Sequence, residues 1–435
     1  MLDIKVNFKL IVCPRQSARV VCAAVILRRQ DLVYHGLLGV NLLGSVMQPP
    51  VLNEITVSSS ELRPTRLEVD LARLRDNYRA ICRHVAPARV MPVLKANAYG
   101  HGLVAVAKAL EREQPFAVAV AYLEEALRLR EAGAGLPILV LGGIVGAQIP
   151  RFLEQNLTLT ASSVDKLFAI EECGASMGIK ARVHLKVDTG MERIGTHWYS
   201  AERLLEASLR VRHVEVEGIF THFANADATD LTYARLQLER FQEVLRFYER
   251  RSLPTPLRHA ANSGAILQMP DSYLDIVRPG ILMFGSSPAA GLALTLDVKQ
   301  ALRWITRVVF FKVVKAGNPV SYGSTWKAPA DTRVITLPVG YGDGYMRAMS
   351  GNAQVMVHGR RVPVVGRICM DQIMADIGNG SAYNGDEVVL LGETGHGAES
   401  PIRIEELAVW ANTIPHEVLT NINTRVPRVY LNESG

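Results

Sequence analysis

From residue 64 onward, short apolar runs alternate with amphipathic stretches. The runs lie at 90–94, 116–122, 138–141, 157–161, 183–187, 218–223, 257–260 and 276–278, and their β-branched and aliphatic content reads as strand. Between them fall helical stretches such as 70–85, where Asp70 can cap the start and Leu71, Leu74, Tyr78 and Ile81 recur at helical spacing. Eight strand–helix units over about 240 residues predict an α/β fold, a (β/α)8 barrel. A doubly wound open sheet is the alternative, but the sequence has no GxGxxG phosphate loop to support it. Past residue 300 the pattern changes to alternating runs at 306–314, 333–338, 354–357, 361–365 and 387–391, separated by Gly-, Asn- and Asp-rich turns. These predict a mostly-β domain with a helical segment at 404–411 and a last strand at 426–430. The organisation expected is an extension over 1–60, a barrel over 64–300 and a β domain over 301–435.

The first sixty residues resist this reading. The apolar stretch at 20–27 is followed by Arg28 and Arg29, and the run at 37–47 is interrupted by Gly39, Asn41 and Gly44. A signal peptide carries its basic residues ahead of the apolar core, so a disordered extension or upstream start is preferred to a targeting segment. Neither run is long enough to span a bilayer.

Composition changes little. The chain has 435 residues, 49% hydrophobic and 21% charged, as in ordinary globular proteins. Its formal charge of +6 comes from Lys and Arg scattered among Asp and Glu, without the basic run of a nucleic-acid binder. Five cysteines without CxxC spacing argue against a disulfide framework or a zinc site. A reducing, cytoplasmic compartment fits them.

Two places suggest chemistry from the residues themselves. Lys95 follows the first strand, and the carboxyl ends of barrel strands are where barrel enzymes place their sites. An isolated strand-end lysine is usually a surface charge, but Ala96, Ala98, Gly100 and Gly102 leave room beside this one for something bulky. A partly desolvated lysine has a lowered pKa and can form a Schiff base with an aldehyde. Tyr99 can reach an anionic group of the same ligand. At the other place, Asn262 and Ser263 follow the seventh strand while Gly280 and Ile281 follow the eighth, and those loops often bind phosphate in barrels. Either pair alone reads equally well as an ordinary turn; together they favour an anion site.

The run Val93-Leu94-Lys95-Ala96-Asn97-Ala98-Tyr99-Gly100-His101-Gly102 resembles the lysine motif of the alanine racemases, fold-type III enzymes that use pyridoxal 5'-phosphate (PLP). The likeness continues through Lys186-Val187-Asp188-Thr189-Gly190-Met191-Glu192-Arg193, Thr221-His222-Phe223-Ala224, Asn262-Ser263, Arg278-Pro279-Gly280-Ile281, Val320-Ser321-Tyr322-Gly323, Gly340-Tyr341-Gly342-Asp343-Gly344 and Cys369-Met370-Asp371-Gln372. It spans residues 64 to 430 and leaves only the extension outside.

The resemblance implies a homodimer that interconverts L- and D-alanine for peptidoglycan, with no nucleic-acid or membrane partner and no metal. Lys95 would hold the cofactor and exchange the α-proton of D-alanine, and Tyr322, from the partner subunit, would serve L-alanine. Arg278 would face the pyridine nitrogen with His222 orienting it, although a buried structural histidine is an equally simple reading of His222. Tyr99, Asn262, Ser263, Gly280 and Ile281 would hold the phosphate. Arg193 and the Met370 backbone would meet the substrate carboxylate, a solvated salt bridge being the plainer reading of Arg193, and Lys186 matches a position carbamylated in many relatives. Glu192 departs from the family by placing a carboxylate beside Arg193. Near 422–425, where some relatives carry a phosphate-binding tyrosine, the chain has Thr424, and the second phosphate ligand is left unassigned. A broader, serine-type racemase and a non-catalytic PLP carrier are the alternatives. A carrier would lack the second domain, and Tyr322 with 369–372 argues against it.

Overall fold

The computed structural model describes residues 63–394 and 400–433, together with short strand segments among the first 62. Two compact units result, Met1–Leu62 and Arg63–Gly435. In the first, Phe8–Ile11, Cys22–Val25 and Leu37–Gly39 form a three-stranded antiparallel sheet. Most of the extension, including the intervals around the runs at 20–27 and 37–47, lies outside the described residues.

In the second unit, β1 (Arg66–Asp70) is followed by eight strands that curl into a barrel: β2 (Arg89–Val90), β3 (Val118–Val120), β4 (Ile138–Val140), β5 (Leu159–Ala161), β6 (Ala181–Asp188), β7 (Val214–Phe220), β8 (Leu257–His259) and β9 (Ile276–Val277). All pairings around it are parallel, from β5 through β9 to β2 and between β3 and β4. Two single parallel bridges, Val93 to Ala119 and Leu139 to Thr158, complete the circle. All eight predicted runs are barrel strands, because parallel strands covered by helices are apolar on both faces and stand out as unbroken hydrophobic runs. The helix Leu71–Val85 starts at Asp70, whose Oδ1 accepts from the N–H groups of Ala72 and Arg73. Its Leu71, Leu74, Tyr78 and Ile81 are buried.

β1 does not join the barrel. It pairs antiparallel with β10 (Leu302–Arg307) and parallel with β17 (Arg428–Leu431), inside the sheet of the C-terminal part. That sheet also contains β11 (Phe310–Val314), β12 (Thr332–Leu337), β13 (Gln354–Val357), β14 (Arg360–Val365), β15 (Ile373–Gly378) and β16 (Glu387–Leu391). Its order is β11-β12-β15-β14-β13-β16-β10-β1-β17. The single run predicted at 306–314 is two strands, and β15 and the helix Pro415–Asn421 went unpredicted. Trp304 on β10 is fully buried and meets Tyr345 edge-on at 5.7 Å. Among the described residues no helix is long and apolar enough to cross a membrane.

Candidate active site

The carboxyl ends of the barrel strands surround a cavity of about 490 Å³ whose walls include Lys95, Tyr99, Lys186, Arg193, His222, Asn262, Ser263, Arg278, Gly280 and His416. A cavity of similar size, about 530 Å³, lies near β1 and β10. Several of its charged groups are spent on one another, Arg303 on Glu68 and Glu387, Arg73 on Glu393.

Lys95 is positioned by an uncommon piece of backbone. After the bridge at Val93, the Leu94 N–H donates to Ala119 O at 2.7 Å. The chain then makes a left-handed turn, with φ of 53° at Ala96, 56° at Asn97, 53° at Ala98 and 52° at Tyr99. L-residues pay roughly 1–2 kcal/mol each for this conformation. Compensating contacts hold it: Ala96 N–H donates to Glu125 Oε1 (2.6 Å), Ala121 N–H donates to Glu125 Oε2 (2.8 Å), and Asn97 Oδ1 accepts from Leu103 N–H (2.9 Å). Of the four small residues that the sequence reads as leaving room for a ligand, the two glycines serve another purpose. A Cβ on Gly100 would lie 2.4 Å from Leu419 O, and one on Gly102 would lie 2.0 Å from Tyr430 Oη. They let the C-terminal segment pack against the lysine turn. Burial, assisted by the Arg193 charge and opposed by Glu125, lowers the Lys95 pKa from 10.5, which favours a nucleophilic amine.

The loops after β8 and β9 meet below Tyr99. Ser263 Oγ accepts from Gly280 N–H at 2.9 Å and from Leu282 N–H at 3.3 Å. Ile281 heads a short 3-10 turn, Ile281–Phe284, so its N–H is not used inside that turn. Asn262 Oδ1 caps the following helical turn by accepting from Ala265 N–H at 3.0 Å. Tyr99 is buried between Phe284 and His416, with ring centroids at 5.2 and 5.8 Å. Burial raises its pKa, so it is held as a hydroxyl.

Arg278 is buried immediately after β9. Its NH1 donates to His259 Nδ1 (2.8 Å), and its NH2 to Thr221 O (2.8 Å), Ala260 O (3.0 Å) and His222 Nδ1 (3.2 Å). Burial first, then the charges of Arg278, Arg193 and the two lysines, push His222 well below its ordinary pKa. It is neutral. Lys186 is buried on β6, its Nζ donating to Val187 O at 2.7 Å and lying 5.5 Å above the Phe220 ring. Burial brings its pKa down to about 7 against the pull of Asp188. The Asp188 carboxylate accepts from the N–H groups of Gly190 (2.8 Å), Met191 (2.9 Å) and Arg193 (3.1 Å). Those bonds hold its pKa low despite burial, and they fold the loop that brings Arg193 to the cavity wall. Glu192, expected beside Arg193, faces His197 Nε2 at 3.1 Å.

Tyr322 and Met370 are not brought to this cavity. Tyr322 is 72% exposed and Met370 53%, and with Ser321, Cys369, Asp371 and Gln372 they line a separate open cleft. The backbone before Tyr322 is strained: Ser321 has φ 67° and ψ −178°, a region almost reserved for glycine. It is held by Ser321 Oγ donating to Arg367 O at 2.5 Å. A Cβ on Gly366 would lie 2.5 Å from Val320 O, so a glycine there is what lets the two segments meet. The 369–372 turn is fixed by N–H donation from Tyr341 to Cys369 O (3.0 Å) and from Gly342 to Met370 O (2.9 Å).

Sequence reasoning missed His416. It lines the Lys95 cavity, its ring tilts against that of Tyr99, and its Nδ1 is buried without a hydrogen-bond partner among the described residues. Thr424 is exposed and contacts its neighbour Asn423. The helix Pro415–Asn421, not 422–425, is the C-terminal segment that reaches the cavity.

A desolvated lysine amine at a barrel mouth, beside a buried guanidinium, is a site of the kind that enzymes use for carbonyl chemistry. Comparison with known proteins makes that class specific. Residues 69–288 match the family described as alanine racemase, N-terminal domain, and residues 301–430 match alanine racemase, C-terminal domain. The chain belongs to the alanine racemase family of PLP-dependent isomerases. It is 43% identical over 372 residues to an alanine racemase of Carboxydothermus hydrogenoformans, covering 85% of this chain and 100% of that one. The solved alanine racemase of Streptomyces coelicolor superposes with a TM-score of 0.80 at 36% identity, covering 85% of this chain and 98% of that one. An alanine racemase from Bartonella henselae, solved with covalently bound pyridoxal phosphate, gives a TM-score of 0.77 at 29% identity over 85% of this chain and 100% of that one.

Proposed function

We propose that this chain interconverts L- and D-alanine with pyridoxal phosphate held on Lys95, in a homodimer whose subunits share their active sites. The observation that carries the reading is the convergence, in one cavity, of a desolvated lysine amine, an anion cradle and a buried guanidinium.

The residues present fit the cofactor. A Cβ on Gly280 would stand 2.2 Å from Tyr99 Oη, so glycine alone lets backbone and hydroxyl close together on a phosphate. Ser263, the Ile281 amide and His416 Nδ1 add donors around the same place. Arg278 would meet the pyridine nitrogen; being a donor only, it would keep that nitrogen unprotonated and favour prompt return of the proton over side reactions. When bound, the cofactor supplies an electron sink for the α-carbon of the amino acid joined to it.

The protein's part is proton handling. Racemisation removes a proton from one face of the α-carbon and returns one to the other. The Lys95 amine, with its lowered pKa, takes or gives the proton on the face of D-alanine. The Tyr322 hydroxyl does so on the face of L-alanine. Tyr322 is exposed and away from Lys95 within one chain, so this reading needs a second copy to bring the hydroxyl, and the Met370 amide, into the cavity. Arg193 would neutralise the substrate carboxylate. Lys186, neutral in part at pH 7, would add CO2 through its free amine, losing one proton and presenting a carbamate anion to Arg193.

The test is borohydride reduction of the cofactor-loaded chain followed by peptide mapping, beside an assay of D-amino-acid formation from a panel of L-amino acids. The label is expected on Lys95, with alanine turned over best. Label on another lysine, or no D-alanine formed, would overturn the proposal.

A further inference from the structure

Behind Arg278, buried polar side chains continue into the barrel, and no step above uses them. His259 Nε2 lies 2.7 Å from His184 Nδ1, and both rings are buried. His184 Nε2 faces Glu217 Oε2 at 3.7 Å. Glu217 also accepts from Thr158 Oγ1 at 3.2 Å and faces Arg182 NH1 at 3.9 Å.

The strands are shaped for this contact. His184 is on β6 and His259 on β8, with β7 between them. The His184 ring crosses β7 at Gly218, where a Cβ would lie 2.5 Å from His184 Nδ1. The register of β6 against β7 slips at this point: Val183 pairs with Val216 and His184 with Gly218, leaving Glu217 as the extra residue. Such a bulge re-aims a side chain, and here it is the carboxylate that faces His184.

The proton positions follow from one fact. A guanidinium only donates, so His259 accepts at Nδ1 and carries its proton on Nε2. That proton is donated to His184 Nδ1, so the His184 proton is on Nε2, the nitrogen facing Glu217. Both rings are neutral: burial, assisted by the nearby Arg278, disfavours their cations, and at His184 it outweighs the opposing pull of Glu217. At 3.7 Å the last link is electrostatic rather than a hydrogen bond.

We propose that Glu217, His184 and His259 are a positioning relay: the carboxylate orients the two imidazole dipoles, and these hold the Arg278 guanidinium in the plane it presents to the cavity. The proposal rests on Arg278 as the contact of the cofactor ring. Its first test does not.

Imidazole nitrogen shifts measured by 15N NMR on the cofactor-free chain near pH 7.5 report each tautomer. Wild type is expected to show pyridine-type Nδ1 and pyrrole-type Nε2 at both His184 and His259. Glu217→Leu should shift the pyrrole-type Nε2 signal of His184, which loses the carboxylate it faces, while both tautomers stay as Arg278 dictates; Glu217→Gln, which still offers an oxygen, should shift it less. A proton on Nδ1 of either ring in wild type, or shifts indifferent to Glu217→Leu, would overturn the relay. On the holoenzyme, Glu217→Leu and His184→Phe should lower kcat by about ten-fold to 10²-fold, the range for a slightly misplaced catalytic group. They should also raise the ratio of ketoacid to D-alanine formed. If the relay served folding alone, the yield of folded protein would fall while kcat per cofactor-loaded site and that ratio stayed at wild-type values. Correct tautomers with an unchanged ratio would refute positioning of Arg278 while leaving the cofactor reading intact.

Discussion

At the scale of single residues, the closest fit in the site is Gly280 against Tyr99. A methyl at 280 would sit 2.2 Å from the hydroxyl, and Tyr99 is enclosed by Phe284 and His416, so the ring has little space to retreat. Gly280→Ala should therefore cost roughly 1.5–3 kcal/mol of phosphate binding, about ten- to a hundred-fold in cofactor affinity, the usual cost of a hydrogen bond to a charged group. Cofactor titration checks it, and Tyr99→Phe should mask most of the effect because the two share one contact. Lys186 gives a second prediction. Its folded pKa of about 7 lies below the ordinary 10.5, so between those values the unfolded chain binds more protons. Stability in CO2-free buffer should rise as pH climbs from about 7 to about 10.5. Lys186→Met should flatten that rise in the denaturation midpoint, and an unchanged slope would show that Lys186 is not the group responsible. Lys95 and the 262–263 and 280–281 pairs drew notice through their place after strand ends and, for the pairs, through falling after neighbouring strands, whereas Arg278 entered only through the family resemblance. His416 drew none: it follows Ile414-Pro415 on a seven-residue helix, and nothing local says that this helix reaches the cavity. His184 and His259 were not singled out, because only the pairing of β6, β7 and β8, with Gly218 between the two rings, sets them 2.7 Å apart.

At the scale of elements, the left-handed turn at Ala96–Ala98 should respond in the opposite sense from an ordinary helix. Ala96 is exposed with φ 53°. Ala96→Gly relieves about 1–2 kcal/mol of left-handed strain and loses roughly 0.4–1 kcal/mol through a freer unfolded chain. The net should be a gain of up to about 1.5 kcal/mol, read as a higher Tm, whereas Ala96→Val should destabilise. Loss of stability with glycine would show that the turn is not left-handed in solution. The sequence announced the barrel strands through their unbroken apolar runs. It concealed β1, whose Arg-Leu-Glu-Val-Asp alternation fits an antiparallel sheet with one wet face and whose partners, β10 and β17, lie far along the chain. The turn after Lys95 was hidden too, since alanine and tyrosine carry no left-handed signature and the single asparagine only a weak one. What fixes it lies elsewhere, in Glu125 and Leu103.

At the scale of the whole molecule, the two halves of the proposed site face different clefts of one chain, Lys95 in one and Tyr322 in the other. If a second copy joins them, a mixture of Lys95→Ala and Tyr322→Phe chains, each nearly inactive alone, should form mixed dimers in which one of the two sites is wholly wild type. Activity should return to about a quarter of wild type under random pairing. No recovery, with mixed dimers demonstrated, would rule out sharing. The most direct measurement of the two-base account is exchange of the α-hydrogen in deuterated water by Tyr322→Phe. That change keeps the ring and removes one oxygen, so racemisation should fall by about 10² to 10⁴-fold in both directions. Exchange should not fall symmetrically: with Lys95 intact, D-alanine should still trade its α-hydrogen with retention, and L-alanine should hardly exchange at all. Equal loss from both enantiomers, or equal survival in both, would contradict the assignment of one face to Lys95 and the other to Tyr322.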